Sequence, residues 1–438
     1  MPRYFLVAGV DFGTSFSKVV LREQNTRQAV AVQFPQHLDG LLPSLVGIDD
    51  EDRLLSPAAL DRQPVVPYLK MLAADVASGK SLNDSRIRLP ASVWTVRGGT
   101  PDLDFIRDLL AFYFAHMMAA VEEFIWRRSP WMDFDFGQNN TQDHLVFQLA
   151  VPTGLLVDTG QAEKLFRQSL IVAHELRREA DPLLAQRVLY REWSQKVRGV
   201  LSRPSENLER RFQWQCLIYP EVAAAVQTIF RSPNARDGLY ITMDVGAGTV
   251  DINAFRRNTG QHLHAHGTAG GVRRLDYYAS DVKPLGIQNL SDPHHAVEPQ
   301  HEDDLMAELR QAVWVLYHRA KNDHQRNQGV VPGHRTWDRA TLLIFGGGSG
   351  DWRYRDAFAR ALWEAGIHQP QIHNLPAVQG FPLPPGTDFG RFAVAYGMSF
   401  FKPNLDQVKL PNELKRFDEL YPPDDDELPR EYGFNWED

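Results

Sequence analysis

A single cysteine, Cys216, occurs in 438 residues, so no disulfide can form within the chain, and a reducing cytoplasm is the expected setting. Cys216 itself, in the phrase QCLIY, reads as a small buried apolar side chain. No apolar run approaches the ~20 residues that cross a bilayer. The amino-terminal run in MPRYFLVAGVD is too short for a signal peptide and leads straight into a glycine hairpin. With 43% hydrophobic and 23% charged residues the composition is that of an ordinary soluble globular protein. Net charge is −8 with no extended basic run, which argues against a dedicated nucleic-acid-binding protein and leaves a local basic patch open. There is no G-x-x-x-x-G-K-S/T phrase, and the glycines of TLLIFGGGSGDW do not satisfy G-x-G-x-x-G, so the common glycine-rich nucleotide sites fail.

What is present is a pair of hairpins. Residues 240–255, YITMDVGAGTVDINAF, open as a β-branched apolar run, place Asp244 at its end, turn through Gly246, Ala247 and Gly248, and resume at Thr249 and Val250 with Asp251 following. Such turns expose backbone N–H groups that accept phosphate oxygens, and a carboxylate on the strand's lip can hold magnesium beside them. Residues 10–20, VDFGTSFSKVV, repeat the layout with Asp11, Gly13, Thr14 and Ser15. Two hairpins of one design, each with an acid and a hydroxyl, can grip a triphosphate from both sides of a cleft, and the pairing is far more specific than either copy.

A chain this long exceeds what one hydrophobic core usually organises, so at least two compact units are expected. Thr100, Pro101 and Asp102 predict a helix start with a hydroxyl cap, and the helix after it is apolar on most of its surface, which fits packing between layers. Residues 127–143 read as a polar, aromatic insertion. Residues 144–154 predict a strand ending at Val151, and 302–325 a helix. The charged stretch 161–212, with its Arg-rich turns, reads as a solvated face or a partner surface. His262, His264 and His266 would share one strand face beyond a turn at 258–260; with no cysteine or acid at ligand spacing, a solvated face accounts for them. In the acidic tail, Phe434 and Trp436 either dock on a partner or fold back on the body.

The two hairpins resemble the phosphate motifs of the actin, sugar-kinase and heat-shock ATPase superfamily, and they most resemble the nucleotide-binding domain of DnaK-type heat-shock chaperones. Further phrases carry the likeness as far as about residue 402. Lys70 in YLKMLAA matches the family's catalytic lysine, and Gly270 and Gly271 match a glycine pair near the nucleotide. Lys321 matches a lysine laid against the adenosine. Gly346, Gly347, Gly348 and Ser349 resemble the adenosine motif, and RFAVAYGMSF resembles the closing helix. There are departures as well. Tyr219 stands where the family has a metal-site glutamate, so either Glu221 supplies that carboxylate or the magnesium shell leans on water. Asn322 stands at the helix arginine, and Gly350 and Asp351 replace the arginine after the serine, with Arg353 slightly later.

The resemblance implies an α/β, two-lobed actin-like ATPase fold built from duplicated ribonuclease H-like domains, with ATP or ADP and Mg2+ between the lobes. Its lobes would be residues 1–235, with a subdomain inserted at about 37–97, and residues 236–402, with an insertion at about 272–337 and a closing helix at about 386–402 returning to the first lobe. Residues 403–438 would form an acidic tail. Asp11 and Asp244 would organise the metal shell, the turns with Thr14, Ser15 and Thr249 would hold phosphate, and Lys70 would stabilise charge, with Asp251 a second candidate for positioning water. No peptide-binding domain follows, so the implied output is a slow, Mg-dependent ATPase switch acting on a regulatory or client protein. The alternatives are a nucleotide-holding scaffold without hydrolysis and an actin-like filament protein; no phrase resembles the sugar kinases' own.

Overall fold

The computed structural model describes residues 3–34, 36–61, 63–136, 143–158, 160–178, 186–232, 235–259, 273–287, 301–328 and 337–414. Gly270, Gly271, the three alternating histidines and the tail aromatics Phe434 and Trp436 lie outside them. The chain is an α/β protein with two large mixed sheets.

The first half runs β1 (Tyr4–Phe12), β2 (Phe16–Glu23), β3 (Ala29–Ala31), β4 (Leu42–Pro43), β5 (Val46–Ile48), β6 (Arg53–Leu55), β7 (Val65–Val66), α1 (Leu69–Ala77), α2 (Ala91–Arg97) and α3 (Asp102–Arg128). It continues with β8 (Asp143–Val151), α4 (Thr153–Asp158), α5 (Gln161–Arg178), β9 (Arg187–Leu189), α6 (Tyr190–Leu201), α7 (Ser205–Phe212), β10 (Cys216–Pro220) and α8 (Glu221–Phe230). The second half has β11 (Gly238–Val245), β12 (Val250–Asn258), β13 (Arg274–Lys283), α9 (Glu302–Gln328), β14 (Thr341–Phe345), α10 (Trp352–Glu364), β15 (Ile372–Asn374), α11 (Ala393–Met398) and β16 (Gln407–Lys409).

The first sheet has the order β10-β8-β1-β2-β3, with β4 also on β2; the second has the order β15-β14-β11-β12-β13-β16. In each, a hairpin is flanked on one side by two parallel strands, β8 and β10 beside β1, β14 and β15 beside β11. One arrangement has thus been built twice, and β16 adds an edge strand to the second copy.

Strand periodicity decides what each face meets. Leu6, Ala8, Val10 and Phe12 of β1 point into a core shared with α3 and α5. Ile241, Met243 and Val245 of β11 point into a core with α9 and α10. The opposite faces share a third core around α8 and α11, to which Val20 and Ala150 contribute from the first sheet and Tyr240, Phe255 and Phe345 from the second. These two helices therefore lie between the sheets, and α11 packs on β1 and β2 of the first sheet. Close approach makes this possible. A methyl group on Gly397 would overlap the Ala224 carbonyl oxygen, far inside van der Waals contact, and one on Gly9 would meet the backbone at Ala395 and Ser399.

Several expectations change. The hydroxyl of Thr100 does not cap α3, which starts at Asp102 with Pro101 at the cap position; Asp102 instead accepts the Leu82 amide at 2.9 Å. Among the described residues α3 is the only helix long and apolar enough to cross a membrane, and Phe105, Leu109, Phe112 and Met117 are fully buried in the core. The Arg-rich stretch is neither wholly a solvated face nor a surface apart. Leu165, Phe166 and Leu170 of α5 and Trp193 and Val197 of α6 belong to the first core, while Arg203 and Arg211 both donate to Glu175 Oε1, at 2.6 and 2.9 Å. The sheet β7-β5-β6-β9 draws its last strand from residues 187–189, outside the 37–97 insertion. Likewise β13, within the stretch expected as a second insertion, belongs to the main sheet, and β16 draws the start of the expected tail into the body. Cys216 is buried, as expected, with its thiol pKa pushed up by desolvation.

Because Gly397 has no room for a side chain, Gly397→Ala is expected to destabilise the protein by about 1–3 kcal/mol through forced backbone movement. Urea unfolding of both proteins checks this; an unchanged midpoint would show that α8 and α11 can part without cost.

Candidate functional site

The two hairpins are equivalent in register as well as in sequence. Across β1 and β2, Asp11 faces Lys18; across β11 and β12, Asp244 faces Asp251. The second turn is propped from behind by the amides of Gly286 and Ile287, which donate to the carbonyls of Gly248 and Gly246 at 3.2 and 3.1 Å. The turns meet. A methyl group on Gly248 would stand 2.6 Å from Thr14 Cγ2 and 2.7 Å from Met71 Sδ, so glycine lets the second hairpin touch the first.

Between them lies a cleft of about 940 Å³, its open mouth included. Of the residues expected from sequence, it is lined by Asp11, Gly13, Thr14, Ser15, Lys70, Glu221, Asp244, Gly246, Ala247, Thr249, Asp251, Gly346, Gly347 and Gly348. Three others fall elsewhere. Gly248 forms the hairpin contact, Ser349 Oγ donates to the Gly346 carbonyl at 2.8 Å, and the Lys321 ammonium lies 5.9 Å from the Tyr317 ring centre, outside the lining. Lys18 and Arg391 are lining residues that the motifs did not single out. The signal for Lys18 was the hairpin register, since it follows Asp11 at the offset at which Asp251 follows Asp244.

Lys70 enters from the first turn of α1. Tyr68, just before that helix, adopts a left-handed conformation (φ 54°), uncommon for an aromatic residue and a mark of local strain. Both oxygens of Glu221 accept from Lys70 Nζ at 2.8 Å, with each side chain 7% exposed. Glu221 opens α8, where the helix dipole favours an anion. Its carboxylate is thus engaged by the lysine. Tyr219, two residues earlier, points the other way: it belongs to the core between the sheets and donates to the Asp406 carbonyl at 2.7 Å. Along a continuous strand residues 219 and 221 would share a face; the turn from β10 into α8 at Pro220 separates them and puts Glu221 in the cleft. Arg353 is held by Asp351 and Glu302.

Charges dominate this cleft. Asp11 Oδ2 accepts from Lys18 Nζ at 2.8 Å. Burial lowers the Lys70 ammonium's pKa, but Glu221 and Asp11 more than offset this, so it lies above the usual lysine value. Glu221 is raised, chiefly by burial. Burial, with Asp11 adding, pushes Asp244 up to about 6. Asp251 is pushed up to about 7, again by burial first, with Lys70 pulling it down and Asp244 pushing it up. Its Oδ2 is buried without a hydrogen-bond partner among the described residues. Gly346, at φ +91°, lies so close to Asp244 Oδ1 that no side chain fits there.

Among the described residues no three histidine, cysteine or carboxylate side chains form a preformed metal cage. Such a site suits magnesium, which keeps several waters and takes one or two carboxylates beside phosphate oxygens. Comparison with known proteins finds no family model that matches the chain and no matching curated protein.

The raised carboxyls set a stability trend in the absence of ligand. Between about pH 4 and about pH 7 the folded chain keeps the Asp251 proton that the unfolded chain has released, so this group's contribution falls as pH rises across that window and stays low above it. Asp251→Asn, which stays uncharged, is expected to melt higher than the wild-type protein at pH 8 and much nearer to it at pH 5. Equal differences at both pH values in thermal unfolding would refute the assigned burial cost.

Proposed function

We propose that the cleft binds ATP and hydrolyses it to ADP and phosphate, within a two-lobed actin-like fold similar to the nucleotide-binding domain of DnaK-type chaperones. The single observation that carries this reading is the convergence of two register-equivalent glycine hairpins, from two sheets of matching strand order, on one carboxylate-rich cleft. Thr14, Ser15, Thr249 and the turns around them hold phosphate oxygens. Asp11 and Asp244 are the carboxylates for magnesium, which when bound neutralises phosphate charge. Water attacks the γ-phosphorus, the bond to the bridging oxygen breaks, and ADP leaves with the electron pair. Asp251, whose Oδ2 is buried without a hydrogen-bond partner among the described residues, takes the water's proton. Lys70, kept cationic by Glu221, stabilises the charge spreading over the transferring group.

The shared core around α8 and α11 supports a hinge between the sheets, so closure on ATP and relaxation after hydrolysis make a two-state switch read by a partner protein. A second reading, a scaffold that holds nucleotide without splitting it, has one observation in its favour: both Glu221 oxygens engage Lys70.

Phosphate release from Mg-ATP, with binding measured separately by calorimetry, tests these readings. Lys70→Ala is expected to slow turnover by roughly a hundredfold and to keep ATP bound. Binding without turnover in the wild-type protein would select the scaffold, and no binding would reject both. Asp251→Asn, which cannot accept the water's proton, is expected to slow turnover by about a hundredfold while ATP still binds. Unchanged turnover would remove Asp251 from the base role.

A further inference from the structure

We infer that Arg391 holds the nucleobase. The inference rests on the nucleotide reading above and assigns a residue that the motif resemblance does not supply. The positions that would provide an arginine by resemblance hold Asn322, Gly350 and Asp351, and Arg353 is tied to Asp351 and Glu302 at 2.5 and 2.8 Å.

The cleft has two unlike ends. The hairpins and their acids and lysines form the floor, where phosphates belong. From there the glycines after β14 lead outward: Gly346 abuts the Asp244 carboxylate, and Gly347 is exposed. Arg391 lies over this outer glycine. A methyl group on Gly347 would be 3.8 Å from Arg391 Nε and 3.9 Å from Cγ, ordinary van der Waals contact, so the side chain runs along a wall without side chains of its own. Its position comes from the short turn Phe389–Arg391 leading into α11, capped by Asp388.

The guanidinium is also uncommitted. Its only ion pair among the described residues is with Asp388, at 3.8 Å between groups 41% and 70% exposed, a contact worth ~0–1 kcal/mol. Because Arg391 already contacts Gly347, the face it offers a ligand is the one turned away from the glycine, and there a guanidinium stacks on a flat, electron-rich ring more effectively than an ammonium does. A ligand whose phosphates occupy the floor lays its base on that outer face of Arg391.

Calorimetric titration of the full chain with Mg-ATP and with Mg-tripolyphosphate, which lacks base and sugar, tests the assignment. Arg391→Ala is expected to weaken ATP about tenfold and leave tripolyphosphate unchanged; Arg391→Lys, which keeps charge without the plane, should resemble the alanine variant for ATP. Equal weakening of both ligands, or full rescue by lysine, would make Arg391 a phosphate-facing charge and overturn the assignment. Unchanged ATP affinity in Arg391→Ala would overturn it while leaving the nucleotide reading intact. Failure of the wild-type protein to bind ATP would instead remove the nucleotide reading and this assignment with it.

Discussion

Four carboxyl groups and two ammonium groups share one cleft that folding has largely closed to water, and most of the architecture follows from keeping them there. Asp11, Glu221, Asp244 and Asp251 exceed Lys18 and Lys70 in number. In water such a set repels weakly; in a medium of lower dielectric the repulsion grows and each charge loses its hydration. Two outcomes are visible. Some groups pair, as Lys18 with Asp11 and Lys70 with Glu221; and some hold their protons to a higher pH, as Asp244 and Asp251 do and as Glu221 does despite its pairing. A cluster so arranged is costly to the fold that carries it.

No single sheet could assemble it. Asp11 and Lys18 come from one hairpin, Asp244 and Asp251 from the other, and Glu221 heads the helix that lies between the sheets. Arg391 precedes the other interposed helix. Geometry at the floor and mouth is therefore set by how α8 and α11 pack, and that packing tolerates no side chain at Gly397. Any change of angle between the sheets must alter the distance between the hairpins.

The hairpins were legible in the sequence because a strand–turn–strand unit is local: period-two burial and a glycine turn fix it within about sixteen residues. The strand 144–151 and the helix α9 were legible from local pattern as well, whereas the closing helix was read only through the resemblance. Harder to read was whatever depends on which face a residue meets. Lys18 is an ordinary strand lysine until its cross-strand partner is known to be Asp11. Position 219 looked decisive by alignment of a phrase, yet the strand-to-helix turn at Pro220 sends Tyr219 into the core and Glu221 into the cleft. Charge density along 161–212 masked a narrow apolar stripe, because Arg203 and Arg211 are spent on Glu175. Arg391 belongs to no glycine phrase, and only the fold brings it over Gly347.

The lysine at the centre shows how a paired group can still be available. An ammonium has three N–H donors. Glu221 takes two of them, one for each oxygen at 2.8 Å, and the lysine stays charged because the acids around it more than offset its burial. One donor is left for a ligand without breaking the pair. Glu221 therefore acts on Lys70 in two ways, fixing its direction and its charge, and the third donor's direction is set by α1 and α8 together. Small shifts of α8 would turn that donor toward or away from the floor, so the same ion pair that holds the lysine ready also ties its reach to the packing between the sheets.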